Sequence, residues 1–218
     1  MIERPHRHQS KEEERINCLS HGLGAVCVVW VMPHLISAAA NHGDAISVVG
    51  ASVFCVTLIL LYVASTVYHG VPMHHLRTKR IFNLIDHVSV YFLIAGTYTP
   101  FTLDTLRGPF GWTLFGLIWS LAITGAILKF KGRLWNQPYS VASYLAMGWL
   151  VLIAVRPLTA QVRTQVILCL FAGGILYSIG VYFYLAKHRR YTHCVWHLFV
   201  LGGSAAHIGA VFGIYLEQ

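Results

Sequence analysis

Seven uninterrupted apolar runs constrain the fold of this 218-residue chain more than any other feature of its sequence. Each run is close to the roughly 20 residues that an α-helix needs to cross the hydrocarbon of a bilayer. A transmembrane β-strand has only about 10 residues of alternating polarity, so the runs favour helices. The predicted spans are residues 18–40, 45–69, 81–101, 110–128, 139–155, 164–186 and 191–215.

The composition excludes a soluble or disordered chain. Charged residues make up 11% of the sequence, against about 25% in soluble domains. Hydrophobic residues make up 56%, far more than a disordered segment contains. We therefore expect an all-α integral membrane protein that folds as a seven-transmembrane helix bundle. A charged arm (residues 1–17) would precede a single membrane domain (residues 18–218).

The distribution of lysine and arginine predicts the orientation of the bundle. Thirteen of these sixteen cations fall in the arm and in the second, fourth and sixth connections, and three fall on the opposite side. The positive-inside rule then places the N-terminus in the cytoplasm and the C-terminus outside. The net charge of +8 is explained by this topology, so no nucleic-acid partner is expected. The thirteen are Arg4, Arg7, Lys11, Arg15, Arg77, Lys79, Arg80, Lys129, Lys131, Arg133, Lys187, Arg189 and Arg190.

Three histidines at the predicted cytoplasmic side form a candidate metal site. His193 and His197 are four residues apart and share one helix face, which is the spacing of paired metal ligands. His69 ends the second span at the same side. Three imidazoles suit zinc, and three protein ligands with a water are typical of catalytic zinc. A His-x3-His pair can also simply cap a helix at the membrane interface, and that alternative stays open.

Two further residues are candidates for catalysis. Asp86 opens the third span, and a carboxylate placed within a membrane helix needs a partner such as a metal-bound water or an imidazole. A salt bridge with Lys79 or Arg80 is the alternative. Ser65 is one turn before His69 and could bond a substrate carbonyl, a metal-bound water or its own backbone.

A polar stripe at the mouth of the first span points to the same end. Its members recur every three to four residues, and either helix initiation or a direct role in the site would explain them. His207 is about 15 Å deeper than His197 along the last span, which favours hydrogen bonding inside the bundle. The stripe consists of Glu14, Asn17, Ser20 and His21.

These motifs together resemble the hemolysin III family, bacterial relatives of the progestin and adipoQ receptors. The resemblance extends from about Glu14 to Tyr215. It also includes residues 96–101 (GTYTPF) and the run of Trp196-His197 and Gly202-Gly203-Ser204. The motifs that carry it are Glu14…Asn17…Ser20-His21, Ser65-x3-His69, Asp86 and His193-x3-His197…His207.

The resemblance implies a seven-helix protein of the bacterial inner membrane with Zn²⁺ near the inner leaflet. Zn²⁺ would be held by His69, His193 and His197, with Asp86 on its water. The wider superfamily includes alkaline ceramidases, which implies a metal-dependent hydrolase of a lipid amide or ester, with a membrane lipid as substrate or ligand.

Three other functional interpretations stay open at this point. One is a non-catalytic protein of membrane homeostasis or a receptor-like protein with structural zinc. The second is the channel-forming cytolysin that the family name suggests. A bis-histidine haem protein is the third, and it is disfavoured because the candidate ligands crowd one interface. A homo-oligomer is compatible with all of them.

Overall fold

The computed structural model describes residues 9–134, 137–186 and 188–216, and these residues form a helical bundle without a β-strand. Seven helical segments are long and apolar enough to span a membrane, which confirms the predicted fold class. Residues 1–8 of the predicted arm, with Arg4 and Arg7, lie outside the described residues, as does Lys187. The helices are α1 (Lys11–His42), α2 (Ala45–Gly70), α3 (Leu76–Pro100), α4 (Pro109–Phe130), α5 (Gln137–Trp149), α6 (Val155–Thr159), α7 (Thr164–Leu185) and α8 (Thr192–Leu216).

The first helix begins at Lys11, seven residues before the predicted span, and continues through the position where the arm was predicted to end. Ser10 caps it, because the Ser10 hydroxyl accepts from the Glu13 amide and the Glu13 carboxylate accepts from the Ser10 amide. This Ser-x-x-Glu capping box stabilises a helix start among charged residues. Part of the predicted arm is therefore an ordered extension of the first span.

Prolines shape the two irregular segments of the bundle. A π-helical turn (Phe101–Thr105) follows Pro100, with the Leu106 amide donating to the Phe101 carbonyl. The fifth span is divided into α5, a 3₁₀ segment (Leu150–Ala154) and α6. Pro157 lies just after this segment, and a proline can neither donate to the carbonyl four residues earlier nor pack closely on it. Pro33, by contrast, lies inside α1 without ending it.

Close packing joins α1 to α2, α2 to α3 and α7 to α8. Two glycines stand where side chains of a neighbouring helix leave no room for a Cβ: Gly96 against Thr57 and Gly203 against Tyr177. The packing of α1 on α2 and α8, and of α2 on α3, leaves the start of α1, the end of α2 and the starts of α3 and α8 at one end of the bundle. We call this end of the bundle the histidine end.

An exposed ion pair marks the opposite end. Arg107 donates to both carboxylate oxygens of Asp44, at 2.8 and 3.0 Å, and so connects the turn before α2 to the turn before α4. Asp44 also caps α2 by accepting from the Ile46 and Ser47 amides. The Arg107 guanidinium, followed by these amides, holds the pKa of the Asp44 carboxyl well below its usual range.

Candidate metal centre

Three histidine side chains converge at the histidine end. His69 comes from the last turn of α2, and His193 and His197 come from the first two turns of α8. One ring nitrogen from each lies within 4.8 Å of the other two, and the Nε2 atoms of His69 and His193 are 3.3 Å apart. His69 and His197 are buried, and His193 is half-buried. The predicted one-turn spacing in α8 thus presents both of its imidazoles to the end of α2.

The donor set fits a small divalent cation. Zinc binds imidazole nitrogens at about 2.0–2.1 Å in a tetrahedron, which places two ligand nitrogens about 3.4 Å apart. The spacing between His69 and His193 matches this value. Within the described chain, these three histidines are the one group of histidine, cysteine or acidic side chains with ligand atoms close enough to share an ion.

The polar stripe of α1 packs against the outer side of the histidine cluster. Glu14 Oε2 lies 2.7 Å from His69 Nδ1, and Ser20 Oγ lies 2.9 Å from His197 Nδ1. The ring of His21 stacks on that of His197 with 3.6 Å between centroids. Asn17 is fully buried and donates to Gln9. The stripe therefore contacts the predicted ligands directly and does more than initiate the helix.

Asp86 and Ser65 lie along the same cavity as the histidines. The cavity has a volume of about 210 Å³, and its polar end is lined by Asp86, Ser65, His193 and His197. Ser65 is buried and Asp86 is half-buried. The structure thus brings the two predicted catalytic residues and two of the three histidines to one space.

Away from the histidine cluster, the cavity is mostly apolar, although Thr97, Thr102 and Ser178 also line it. It extends along α3 from Asp86 to Phe101, fifteen residues or roughly 22 Å of helix. Its far part lies between α3, α5 and α7 and ends near Leu158 of α6. A long, narrow and apolar space of this kind accommodates a hydrocarbon chain. The residues that line this part include Leu93, Ile94, Tyr98, Phe101, Trp149, Val151, Leu158, Leu170 and Phe171.

His207 has the interior role that its depth predicted. It is buried, and its Nε2 lies 3.1 Å from the Leu170 carbonyl oxygen of α7. A carbonyl can only accept, so Nε2 is the donor. His207 thus bonds α8 to α7, ten residues beyond His197.

Two charged residues near the site were not predicted from the sequence to take part in it. Lys79, counted as a topology-determining cation and as an alternative partner of Asp86, is buried and donates to Glu14 Oε1 at 3.0 Å and to the carbonyls of Tyr68 and Val71. Glu13, counted as part of the arm, is buried and accepts from the Tyr191 amide at 2.7 Å. The Ser-x-x-Glu spacing was a signal for Glu13, whereas nothing local in the sequence marks Lys79.

His87, next to Asp86 in the sequence, is a further polar residue that lines the cavity. The Nδ1 atom of His87 lies 2.6 Å from the Asn83 carbonyl oxygen, and its Nε2 lies 2.9 Å from the Tyr184 hydroxyl. The carbonyl fixes the hydrogen on Nδ1, so Tyr184 donates to Nε2. These contacts join α3 to α7 at the polar end of the cavity.

Comparison with known proteins agrees with this architecture. The chain is 46% identical over 198 residues to Hemolysin-3 of Bacillus cereus, covering 90% of this chain and 89% of that protein. It is 45% identical over 195 residues to the Hemolysin-3 homolog of Bacillus subtilis, covering 89% and 91%. Human monocyte to macrophage differentiation factor is 29% identical over 210 residues, covering 92% and 83%. The family model described as haemolysin-III related matches residues 9–208, and the chain therefore belongs to the haemolysin-III-related family.

Proposed function

We propose that this protein is a zinc-dependent membrane hydrolase that cleaves the amide or ester bond of a lipid. The observation that carries the proposal is the convergence of three imidazoles, two of which line the polar end of a long and mostly apolar cavity. Zn²⁺ held there would lower the pKa of a coordinated water towards about 7 and polarise a carbonyl. His69, His193 and His197 are its proposed ligands.

The chain's own residues supply proton transfer and orientation. The Asp86 carboxylate, on the cavity side of the site, would accept a proton from the attacking water as general base. The Ser65 hydroxyl would donate a hydrogen bond to the scissile carbonyl oxygen and hold it near the histidines. Since Ser65 precedes His69 by one helical turn, a single face of α2 presents both the metal ligand and this donor.

The cavity supports a lipid substrate. Its polar end would hold the bond to be cleaved, and its apolar part would bury one acyl chain and exclude water from it. The acyl chain of the lipid would enter sideways from the bilayer, because the cavity lies within the span of the helices. We place the histidine end at the cytoplasmic face of a bacterial inner membrane, in agreement with the cation distribution.

Metal analysis and lipid turnover test the proposal together. We expect about one zinc per chain after purification without added metal, and release of fatty acid from an N-acyl lipid in detergent. Asp86→Asn should lose most turnover, at least about 100-fold, since general base catalysis contributes about that much. It should keep its zinc.

A matched control is Asp104→Asn, which makes the same change about 27 Å further along the same span. This variant should retain turnover. Equal background release by the wild type and Asp86→Asn, with zinc present in both, would contradict the hydrolase and favour a non-catalytic protein with structural zinc.

The names of the relatives favour one other candidate, a lytic protein. Reconstituted liposomes with a trapped dye test it. Dye release that grows with the protein-to-lipid ratio and persists in Asp86→Asn would support lysis. Intact liposomes, together with lipid turnover, would support the hydrolase.

A further inference from the structure

The α1 helix contacts two of the three histidines through their Nδ1 atoms. Within the described chain, the group that can share an ion has no member on α1. Glu14 and Ser20 of α1 nevertheless contact the Nδ1 atoms of His69 and His197. The chemistry of these two contacts fixes where the ring hydrogens lie.

Glu14 determines the tautomer of His69. One carboxylate oxygen of Glu14 contacts the Lys79 ammonium at 3.0 Å, and the other lies 2.7 Å from His69 Nδ1. A carboxylate can only accept, so in the neutral imidazole Nδ1 carries the hydrogen and Nε2 carries the lone pair. This Nε2 is the atom that faces His193 at 3.3 Å. His69 is therefore already in the form that binds a metal.

Ser20 determines the tautomer of His197 in a similar way. The Ser20 hydroxyl donates to the Asn17 carbonyl at 2.9 Å, and it has only this one hydrogen to donate. In its contact with His197 Nδ1, Ser20 must then be the acceptor. The hydrogen of His197 lies on Nδ1, and its Nε2 is left with the lone pair.

We infer that α1 sets the metal affinity of this site through Glu14 and Ser20, which act as positioning residues. They hold two imidazoles in the binding tautomer and orientation, so that an ion does not have to rearrange them. Partners of this kind typically change metal affinity 10–100-fold when they are removed. The inference rests on the metal-binding part of the proposed function and is independent of hydrolysis.

The neighbouring Glu13 extends this role of α1 to the backbone of α8. Its carboxylate accepts from the amide of Tyr191, which has a left-handed φ of 60° directly before α8. A non-glycine residue adopts this conformation at a cost, so the hydrogen bond stabilises it. The first turn of α1 thus fixes the point from which His193 and His197 project.

The test is the dissociation constant for Zn²⁺, measured by competition with a chelator on the full chain in detergent. Glu14→Gln should weaken Zn²⁺ binding about 10–100-fold, and Ser20→Ala about tenfold because it removes a neutral partner. Glu12→Gln removes the same charge from the exposed side of the first turn, and Ser37→Ala removes an exposed hydroxyl near the other end of α1. Both controls should bind like the wild type.

Two further measurements separate positioning from simple helix packing. Ser20→Thr keeps the hydroxyl and should restore affinity to within a fewfold of the wild type. The visible absorption of the Co²⁺-loaded protein should change in Glu14→Gln and remain unchanged in Glu12→Gln. If Glu14→Gln fails to fold, the comparison of Ser20→Ala with Ser20→Thr still tests the inference, because serine and alanine are nearly equal in size.

The inference is overturned if the Ser20 and Glu14 variants bind Zn²⁺ as tightly as the wild type, even with lowered thermal stability. It is also overturned if the wild type binds no Zn²⁺. A protein that binds Zn²⁺ with the expected differences but hydrolyses no lipid would leave it intact and would contradict only the hydrolase.

Discussion

The two sides of the cavity differ in how they are held together. On the α1–α2–α8 side, helices pack closely, and buried charged groups of α1 and α3 satisfy one another around the histidines. On the α3–α5–α7 side, α5 is interrupted and packs loosely, and side-chain hydrogen bonds, most of them from aromatic residues, connect it to its neighbours. The first side thus has the rigidity that a metal site needs, and the second has the space that a lipid chain needs.

Side-chain hydrogen bonds, rather than close helix packing, connect α5 to the bundle. The Tyr98 hydroxyl shares its one hydrogen between the carbonyls of Met147 and Gly148, at 3.0 and 2.8 Å. The Trp149 ring nitrogen donates to the Ser178 hydroxyl at 3.1 Å. Because the cavity occupies much of the remaining interface, a change on this side can alter the cavity without disturbing the histidines.

The largest effect should come from a ligand on the rigid side. His197→Ala removes one of three proposed ligands and should weaken Zn²⁺ binding by more than about 100-fold, beyond the range for residues that only orient a ligand. His207→Ala removes a buried histidine of the same helix and should keep its metal. Zinc per chain after dialysis against a chelator measures both. Retention of zinc by His197→Ala would contradict the proposal that His197 is a metal ligand.

Substitutions at two adjacent glycines of α7 should separate an effect on stability from an effect on the cavity volume. A Cβ on Gly173 would collide with the His207 ring, so Gly173→Ala should destabilise the protein by about 1–3 kcal/mol, as overpacking does. Gly174 lines the cavity, where a Cβ would have its nearest neighbour at 3.9 Å, in Trp149. Gly174→Leu should therefore leave the unfolding temperature nearly unchanged and reduce binding of a fluorescent acyl-chain probe at least about tenfold.

The opposite pattern, with a lowered unfolding temperature and normal probe binding for Gly174→Leu, would show that the cavity does not hold the acyl chain.

A smaller effect is expected at the α3–α5 contact. Tyr98→Phe removes the hydrogen bonds to Met147 and Gly148 and should cost about 1–2 kcal/mol, because two carbonyls lose a buried donor. Zn²⁺ affinity should not change, since the contact lies on the other side of the cavity. Tyr182→Phe, on the exposed surface of α7, is the control and should behave as the wild type in thermal unfolding.

The smallest effect should come from the exposed pair at the far end. The pKa of Asp44 is lower in the folded protein than in the unfolded chain, so its contribution to stability is present above about pH 4 and is lost as the pH falls further. Asp44→Asn keeps an N-cap and should lower the unfolding temperature slightly at neutral pH. The difference should shrink below pH 4 and in 1 M salt; a constant difference would rule out the ion pair as its cause.

The sequence predicted the fold well because each span is a local property. Length and apolarity identify a membrane helix without knowledge of its partners, and all seven spans were found. The first helix begins seven residues before the predicted span, because the charged turn from Lys11 conceals a capped helix start. The division of the fifth span was also missed, since Pro157 lies beyond the apolar run that defined it.

The candidate site was predictable where its residues follow a helical spacing, or where, like His69 and Asp86, they lie at the end of a span on the predicted cytoplasmic side. His193 with His197, and Glu14 with its stripe, could be recognised from intervals of three and four residues. The ion pair of Glu14 with Lys79 joins residues 65 positions apart, and it depends on how α1 meets α3. The same holds for Tyr184 with His87, which only the packing of α7 on α3 brings together.

X-ray absorption at the zinc edge, on protein purified without added metal, tests the central claim most directly. Three imidazoles and one oxygen at about 2.0–2.1 Å from the zinc are the predicted result. A spectrum with sulfur at about 2.3 Å, or protein that contains no zinc, would contradict it.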